Sequence, residues 1–386
     1  MDYVEVLSHL IAFDTSVPPG DNYAAAVGYL EPLFRDAGFQ TKAVDIPPGH
    51  AEGREGRVNL VAHRRAPGKP RLIFYGHIDV VPAEGWPAYQ PRTTNGRIYG
   101  RGAADMKGAI AALLLGLEAC RGKDLKYDTS VMITTDEEYS QASQLRYLKP
   151  FLEPVAGASF FDLDSSFGAV SVAGLGVLQM TIRVLGKSVH SGLAHLGENA
   201  VEKAVPLMAA LLELKNEVVR RRSKIPAFPD TGLKWMEPRL NINMVHGGLK
   251  SNIIPDECLI SLDRRLIPEE SNEDARRELT RAISSVPGLR WEVAREFAIT
   301  TLPPSEGPEV DALAAIIKAV TGSTGKFGEM GSGDLPSIVT REWGAREFGL
   351  GVIRPECNIH GRDEFVYQKD ITALAEIIRR FLLPSP

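Results

Sequence analysis

The stretch from Leu72 to Gly108 constrains the fold more than any other part of the chain. It reads LIFYGHIDVVP and, after a gap, GRGAADMKG. Leu72, Ile73, Phe74 and Tyr75 form an unbroken apolar run, the signature of a strand buried on both faces. Gly76 ends the run, and His77 and Asp79 follow at its tip. Two residues apart in extended chain, they lean to the same side. In the second piece Gly100 and Gly102 flank Arg101, and Asp105 precedes an apolar helix expected over 106–121. This reads as half of a metal site. His77 and Asp105 are candidate ligands, and Asp79 would hold the His77 ring from behind, because a metal-bound histidine usually gives its other N–H to a carboxylate. A surface histidine with two helix-capping acids is the alternative.

At 386 residues the chain is long for one core and suggests two domains. A helix is expected over Tyr3 to Phe13, then a break at SVPPG. A second helix should run from an N-cap at Asp21 to Gly38, with Pro32 kinking or splitting it. Residues 43–57 and 82–99 read as loops, and 58–64, 71–76, 129–135 and 158–163 as strands. Strands alternating with helices predict an α/β sheet flanked by helices. Near Gly176 the pattern changes. VLQMTIRVLG alternates, as a half-exposed antiparallel strand would. A helix over 199–219, strands RLNINMVHGG and ECLISLDRRL, a helix over 271–285 and a strand RWEVAREF follow. That order is ferredoxin-like and reads as an α+β domain inserted into the first. The expected division is 1–177 with 299–386, and 178–298 inserted. Helices over 311–321 and 371–382 complete the first domain.

Three further clusters could complete the metal site. TTDEEYS places Asp136, Glu137 and Glu138 at one strand tip, FFDLDSS places Asp162 and Asp164 at another, and NIHGRDEFV carries His360. On a surface helix such acids would mean little. At the carboxyl ends of neighbouring strands they suggest ligands and a general base. Two histidines and several carboxylates without cysteine fit two Zn²⁺ ions about 3.5–4 Å apart. Composition narrows the field. A net charge of −5 gives no support for a nucleic-acid or acidic-membrane partner. No apolar run reaches the ~20 residues that span a bilayer. The start, MDYVEVLSHL, has no basic stretch before an apolar block, so no signal peptide is expected. Cys120, Cys258 and Cys357 are odd in number and far apart, which points to a reducing, cytoplasmic compartment. Cys357 lies near His360 but reads as a small packed hydrophobe.

With these residues in place the chain resembles, over nearly its whole length, the dinuclear zinc amidohydrolase and peptidase family of acetylornithine deacetylase, succinyl-diaminopimelate desuccinylase and glutamate carboxypeptidase. GHIDVVP, GRGAADMKG, DEE, GKSVHSG with GENAV, HGGLKSNIIPDE with DRRLIP, and HGRDEFV carry the resemblance. It implies a zinc-peptidase-like catalytic domain with a central mixed sheet and an inserted lid that also makes a homodimer. His77 and Asp164 would bind one metal, Glu138 and His360 the second, and Asp105 would bridge both. Glu137 would be the general base and Asp79 the partner of His77. The peptide joining Asp105 to Met106 would be cis. His190 would reach the partner subunit's site and stabilise an oxyanion, and Asn252 and Arg265 would contact substrate, Arg265 through a carboxylate. Two divalent ions, Zn²⁺ first and Co²⁺ or Mn²⁺ as alternatives, would be the cofactors. A small amide carrying a carboxylate, such as an N-acyl amino acid, would be the substrate.

The chain departs from the family in three places. Asp164-Ser165 stands where Glu-Pro is usual; counting back from Gly176 favours Asp164 over Asp162 as the ligand. Leu175 stands where several deacylases have a basic residue, and Tyr139, Ser140 and Gln141 replace glycines after DEE. Two rival readings are a dinuclear aminopeptidase or dipeptidase and a catalytically inactive metal-binding scaffold. The HSG and NIIPDE segments argue against the first, and the intact Glu137 with five candidate ligands against the second.

Overall fold

Arg71–His77 is a strand in which every residue after Arg71 is buried, as an uninterrupted apolar run requires when both faces of a sheet are covered. In the computed structural model, which describes residues 1–384, the chain forms two units. The first comprises Met1–Val172, Pro304–Phe327 and the chain from Asp334 onward; the second comprises Ala173–Pro303 and Gly328–Gly333.

In chain order the first unit begins with α1 (Tyr3–Ala12), α2 (Tyr23–Asp36), β1 (Gln40–Asp45), β2 (Val58–Arg64), β3 (Arg71–His77), β4 (Arg92–Thr94), β5 (Arg97–Tyr99), α3 (Gly108–Glu118), β6 (Asp128–Thr134), α4 (Ala142–Leu152), β7 (Ser159–Asp162) and β8 (Val170–Gly174). The second unit supplies β9 (Gly176–Leu185), β10 (Val189–His190), α5 (Ala200–Val218), β11 (Arg239–Gly247), β12 (Ile253–Ile254), β13 (Glu257–Leu266), α6 (Asn272–Ser284) and β14 (Trp291–Ile299). Then come α7 (Pro308–Thr321), β15 (Lys326–Glu329), β16 (Arg346–Gly349), β17 (Phe365–Tyr367) and α8 (Gln368–Leu382).

The main sheet has the order β1-β2-β6-β3-β7-β16-β8-β15. At its centre β6, β3 and β7 run parallel, with His77 beside Thr134 and Tyr75 beside Asp162. The three strand ends that carry His77, Glu137 with Glu138, and Asp164 therefore lie side by side. A small sheet of order β17-β5-β4 does the rest of the positioning. It lays the segment after His360 beside the Gly100 turn, where Gly100 N–H donates to the Glu364 carbonyl (2.9 Å).

The second unit is an antiparallel sheet of order β11-β13-β9-β14 with α5 and α6 packed on one face through Leu207, Leu211, Leu279 and Ile283. Gly176 opens it. A Cβ there would lie 2.9 Å from Thr301 N and 3.0 Å from Ile299 O, so only glycine lets the entering strand approach the returning one.

Several local expectations are corrected. Residues 43–45, 92–94 and 97–99 are strand rather than loop, and β1 and the small sheet pair through backbone registers that composition does not reveal. The helix expected from Met106 starts at Gly108, because residues 103–107 form a separate turn around Asp105. The α2 N-cap is Asn22 rather than Asp21, and α2 runs on through Pro32. The carbonyl that Pro32 leaves without a donor belongs to Gly28, which is exposed to water.

Candidate metal centre

His77 ends β3, and its backbone N–H points at the Met106 sulfur (3.2 Å). The residue before it packs under the same side chain: a Cβ on Gly76 would lie 2.8 Å from the Met106 methyl carbon, which would have to move aside. Asp79 sits behind the imidazole. His77 Nδ1 lies 3.1 Å from the Asp79 carbonyl oxygen and 3.5 Å from its Oδ1, so the ring is held chiefly by the backbone of Asp79. The other carboxylate oxygen, Oδ2, accepts from Glu138 N–H (2.9 Å) and so ties the β3 tip to the β6 tip.

Asp105 lies in the turn between β5 and α3, joined to Met106 by a cis peptide. Its two oxygens face opposite ways. Oδ1 is 3.4 Å from His77 Nε2 and Oδ2 is 3.0 Å from His360 Nε2. His360 Nε2 is also 3.1 Å from Glu138 Oε1, and His77 Nε2 is 3.7 Å from Asp164 Oδ2. The Asp162 carboxylate turns instead to the Asp164 N–H (2.9 Å). Candidate ligand atoms thus gather in two sets, His77 with Glu137 and Asp164, and Asp105 with Glu138 and His360; within each set they lie within 4.8 Å of one another.

The residues fit a pair of cations. His77 Nε2 is buried and has no hydrogen-bond partner among the described residues. Its neighbouring carboxylate oxygens stand too far off for a hydrogen bond, at the spacing of ligands that share an ion. The electrostatics agree. Burial pushes the Glu137 carboxyl well above the usual range, with the charges of Asp164 and Glu138 adding to it. Burial also raises Glu138 and Asp164. Burial opposes charge on His77, yet Asp105, Asp164 and Asp79 hold the ring well above its ordinary value. Asp105 and Glu138 hold His360 up at about 10. For Asp105, burial is outweighed by the two histidines, which hold it below the usual carboxylate range. The cluster carries more negative charge than two imidazoles balance, which is the electrostatic demand of a divalent site.

Two supporting roles are not written in the sequence, that of Glu364 and that of Asp136, which stands in the acidic strand-tip cluster but is no part of the ligand sets. Glu364 is fully buried and accepts backbone N–H from Gly102 (3.1 Å), Ala104 (3.0 Å) and Asp105 (3.1 Å), plus Arg101 Nη1 (2.7 Å). Arg101 also donates to the His360 carbonyl (3.1 Å). Glu364 stands inside HGRDEFV and Arg101 inside GRGAADMKG, but nothing in either run pairs them. Asp136 is the other: its carboxylate points away from the cluster, to Tyr23, Arg54, Arg57 and Gln144.

His190, Asn252 and Arg265 lie in the second unit. His190 pairs with Ile253 on the β10–β12 ladder, and Asn252, just before β12, accepts from Ser191 N–H through its carbonyl (3.0 Å); both are exposed, and His190 Nδ1 accepts from Gly192 N–H (3.1 Å). Arg265 makes a two-pronged ion pair with Asp263 (2.9 and 3.2 Å).

Comparison with known proteins gives the family and the fold. The chain is 30% identical over 329 residues to a succinyl-diaminopimelate desuccinylase of Thioalkalivibrio sulfidiphilus, covering 81% of this chain and 83% of that one. It is 29% identical over 384 residues to the enzyme of the same name from Gluconacetobacter diazotrophicus, covering 95% and 93%. Among solved structures, the fold matches a family M20 metallo-carboxypeptidase of Sulfolobus solfataricus (TM-score 0.77, 17% identity, 99% of this chain and 98% of that one). It also matches the aminopeptidase PepT of Bacillus cereus (TM-score 0.76, 19% identity, 98% and 97%). The sequence profile of peptidase family M20/M25/M40 matches residues 73–383, and the chain belongs to that family and is a metal-dependent hydrolase.

Proposed function

We propose that the protein is a dinuclear zinc hydrolase that cleaves the amide bond of an N-acyl amino acid or small peptide-like substrate bearing a carboxylate, with Glu137 as general base. The observation that carries this is the arrangement around Asp105, whose two oxygens face the two histidine-containing ligand sets. In this reading His77 and Asp164 hold one ion, Glu138 and His360 the other, and Asp105 both. Bound there, two divalent ions supply charge for an amide carbonyl and acidify a water. Glu137 takes the proton of the attacking water and passes it to the leaving amine; it stands beside His77 and Asp164 at the strand tips. Asp79 keeps the His77 Nδ1–H engaged, so Nε2 is the ligand atom. His190 donates to the oxyanion, and Asn252 and Arg265 orient the substrate, with the Arg265 guanidinium donating to the substrate's carboxylate.

The same reading assigns 1–177 and 299–386 to the catalytic domain and 178–298 to the lid, and takes the lid as the homodimer surface. Its edge strand β11 exposes Met244 and Val245, and the adjoining α5 exposes Val205 and Leu212. The relatives named as desuccinylases support an acyl-amide substrate. Three buried, unpaired cysteines suit a cytoplasmic setting, and among the described residues no helix is long and apolar enough to cross a membrane.

The test is elemental analysis of Zn²⁺-saturated protein together with hydrolysis of N-succinyl amino acids, N-acetyl amino acids and dipeptides. About two ions per chain and release of amine from at least one class are expected. Absence of specifically bound metal, or failure to cleave any of the three classes, would sink the reading.

A further inference from the structure

The tip of β6 is held from behind by residues that the proposed chemistry does not use. Asp136 is fully buried and has φ 63°, a left-handed conformation that Asp tolerates better than most residues. Four donors converge on its carboxylate. Tyr23 OH reaches Oδ1 (2.9 Å), and Arg54 Nε (3.1 Å), Arg57 Nε (3.1 Å) and Gln144 Nε2 (2.7 Å) reach Oδ2. Arg54 grips more than Asp136. Its Nη2 donates to the Ser140 carbonyl (3.1 Å), its guanidinium lies 4.5 Å from the centre of the Tyr139 ring, and its Nη1 meets Glu52 (3.2 Å). Glu52 in turn accepts from Ser140 Oγ (2.8 Å). On the other side Gln141 donates to Tyr75 OH (2.7 Å) and accepts from Thr134 Oγ1 (3.0 Å).

Asp136, Tyr139, Ser140 and Gln141 are thus each tied down outside the metal cluster, and the two residues between them are Glu137 and Glu138. The guanidinium fork matters here. It spans a carboxylate, a carbonyl and a ring at once, which an ammonium cannot do.

We propose that Asp136 is a positioning residue for Glu137, and that the Glu52–Arg57 segment acts through it as a clasp fixing the Glu137 carboxylate against the metal ligands. This rests on the reading of Glu137 as general base. A proton-transfer group displaced by ~1 Å loses on the order of 10²-fold in rate, so a clasp remote from substrate acts on turnover rather than on binding.

The test uses the full-length, Zn²⁺-loaded protein and the same panel of N-succinyl and N-acetyl amino acids and dipeptides. Arg54→Ala is the first variant, because the side chain is 18% exposed and its loss leaves Arg57 to neutralise Asp136. It should keep its Zn²⁺ and hold KM within about twofold, while kcat falls ~10- to 10²-fold. Arg54→Lys should recover part of that loss, since it restores the charge but not the fork. On the residual rate of Glu137→Ala, adding Arg54→Ala should cost nothing further, whereas a general structural defect would cost the same fold again. Amide exchange over 136–141 should quicken in Arg54→Ala while the sheet strands keep their protection. Asp136→Asn, which keeps the shape and loses the charge, should show the same split with a larger fall in kcat. Unchanged kcat, loss of Zn²⁺, or an undiminished penalty in the Glu137→Ala background overturns the proposal. A wild type that cleaves none of the panel overturns the reading of Glu137 and the proposal with it; an active wild type matched by Arg54→Ala overturns the proposal alone.

Discussion

Glu347→Gln is expected to stabilise the protein, and by an amount that grows with pH. Glu347 lies on β16 opposite Phe160 of β7, is 2% exposed, and has an Oε2 with no hydrogen-bond partner among the described residues. Burial alone pushes its carboxyl from the ordinary 4.5 up to about 8. Between those values the folded protein holds a proton that the unfolded chain releases, so folding stability falls as pH rises through the window and levels off above it. At ~1.36 kcal/mol per pH unit the full effect is about 5 kcal/mol, of which about 3 kcal/mol is felt at pH 7 and less than ~1 kcal/mol at pH 5. Glutamine keeps the shape and cannot ionise. The variant should therefore unfold at higher urea than wild type by about 3 kcal/mol at pH 7 and about 5 kcal/mol at pH 9, and nearly together with it at pH 5. Tryptophan fluorescence can follow this, since Trp343 is buried against Phe160 (ring centres 5.7 Å apart). Metal-free protein at the three pH values is the right sample. A stability difference that does not change with pH, or one favouring wild type at pH 9, would refute the reasoning.

Other outcomes follow from the metal cluster. Glu137→Ala should retain Zn²⁺ and lose ~10²–10⁴-fold in kcat, whereas Glu138→Ala should lose Zn²⁺ and regain some activity when Zn²⁺ is in excess; metal content and turnover reversed between the two would swap their roles. Glu364→Ala strands buried Arg101 and three backbone N–H groups, so it should cost about 3–5 kcal/mol in urea unfolding and weaken Zn²⁺ binding through Asp105; unchanged affinity would show that the turn holds itself. Zn²⁺ at ~100 times its Kd should stabilise the fold by about 2.7 kcal/mol over chelator-treated protein, and an identical melting temperature with and without the ion would count against a site formed in the folded state.

What the sequence showed depended on how locally each feature is written. The apolar runs of β3 and β6 and the acids at their tips are contiguous, so buried parallel strands with His77, Glu137 and Glu138 at one end could be read directly. The inserted βαββαβ order was legible for the same reason, because alternation and helical spacing are short-range patterns. The ties of Arg54 and Arg57 to Asp136 were not, since 79 positions separate Arg57 from the carboxylate it meets and Arg54 stands in a stretch that looked featureless. The Glu364 anchor lies 262 positions from Gly102 and was hidden likewise. The start of α3 was misplaced because helical propensity continues through Met106, while the backbone there serves Asp105 instead.

The doorway of the second unit has a consequence for how the chain can be taken apart. The chain enters by Gly174 and leaves by Leu302, and these two residues donate backbone N–H to each other's carbonyls (3.4 and 3.2 Å). Departure and return are one ladder rung wide. A protein engineer could therefore close the gap with a linker of a few small residues, or graft a foreign module whose own ends are adjacent, without stretching the host. Seen this way, the residues between those two points start and finish at one rung, so a change of length among them leaves the spacing of the two flanking ends as it is.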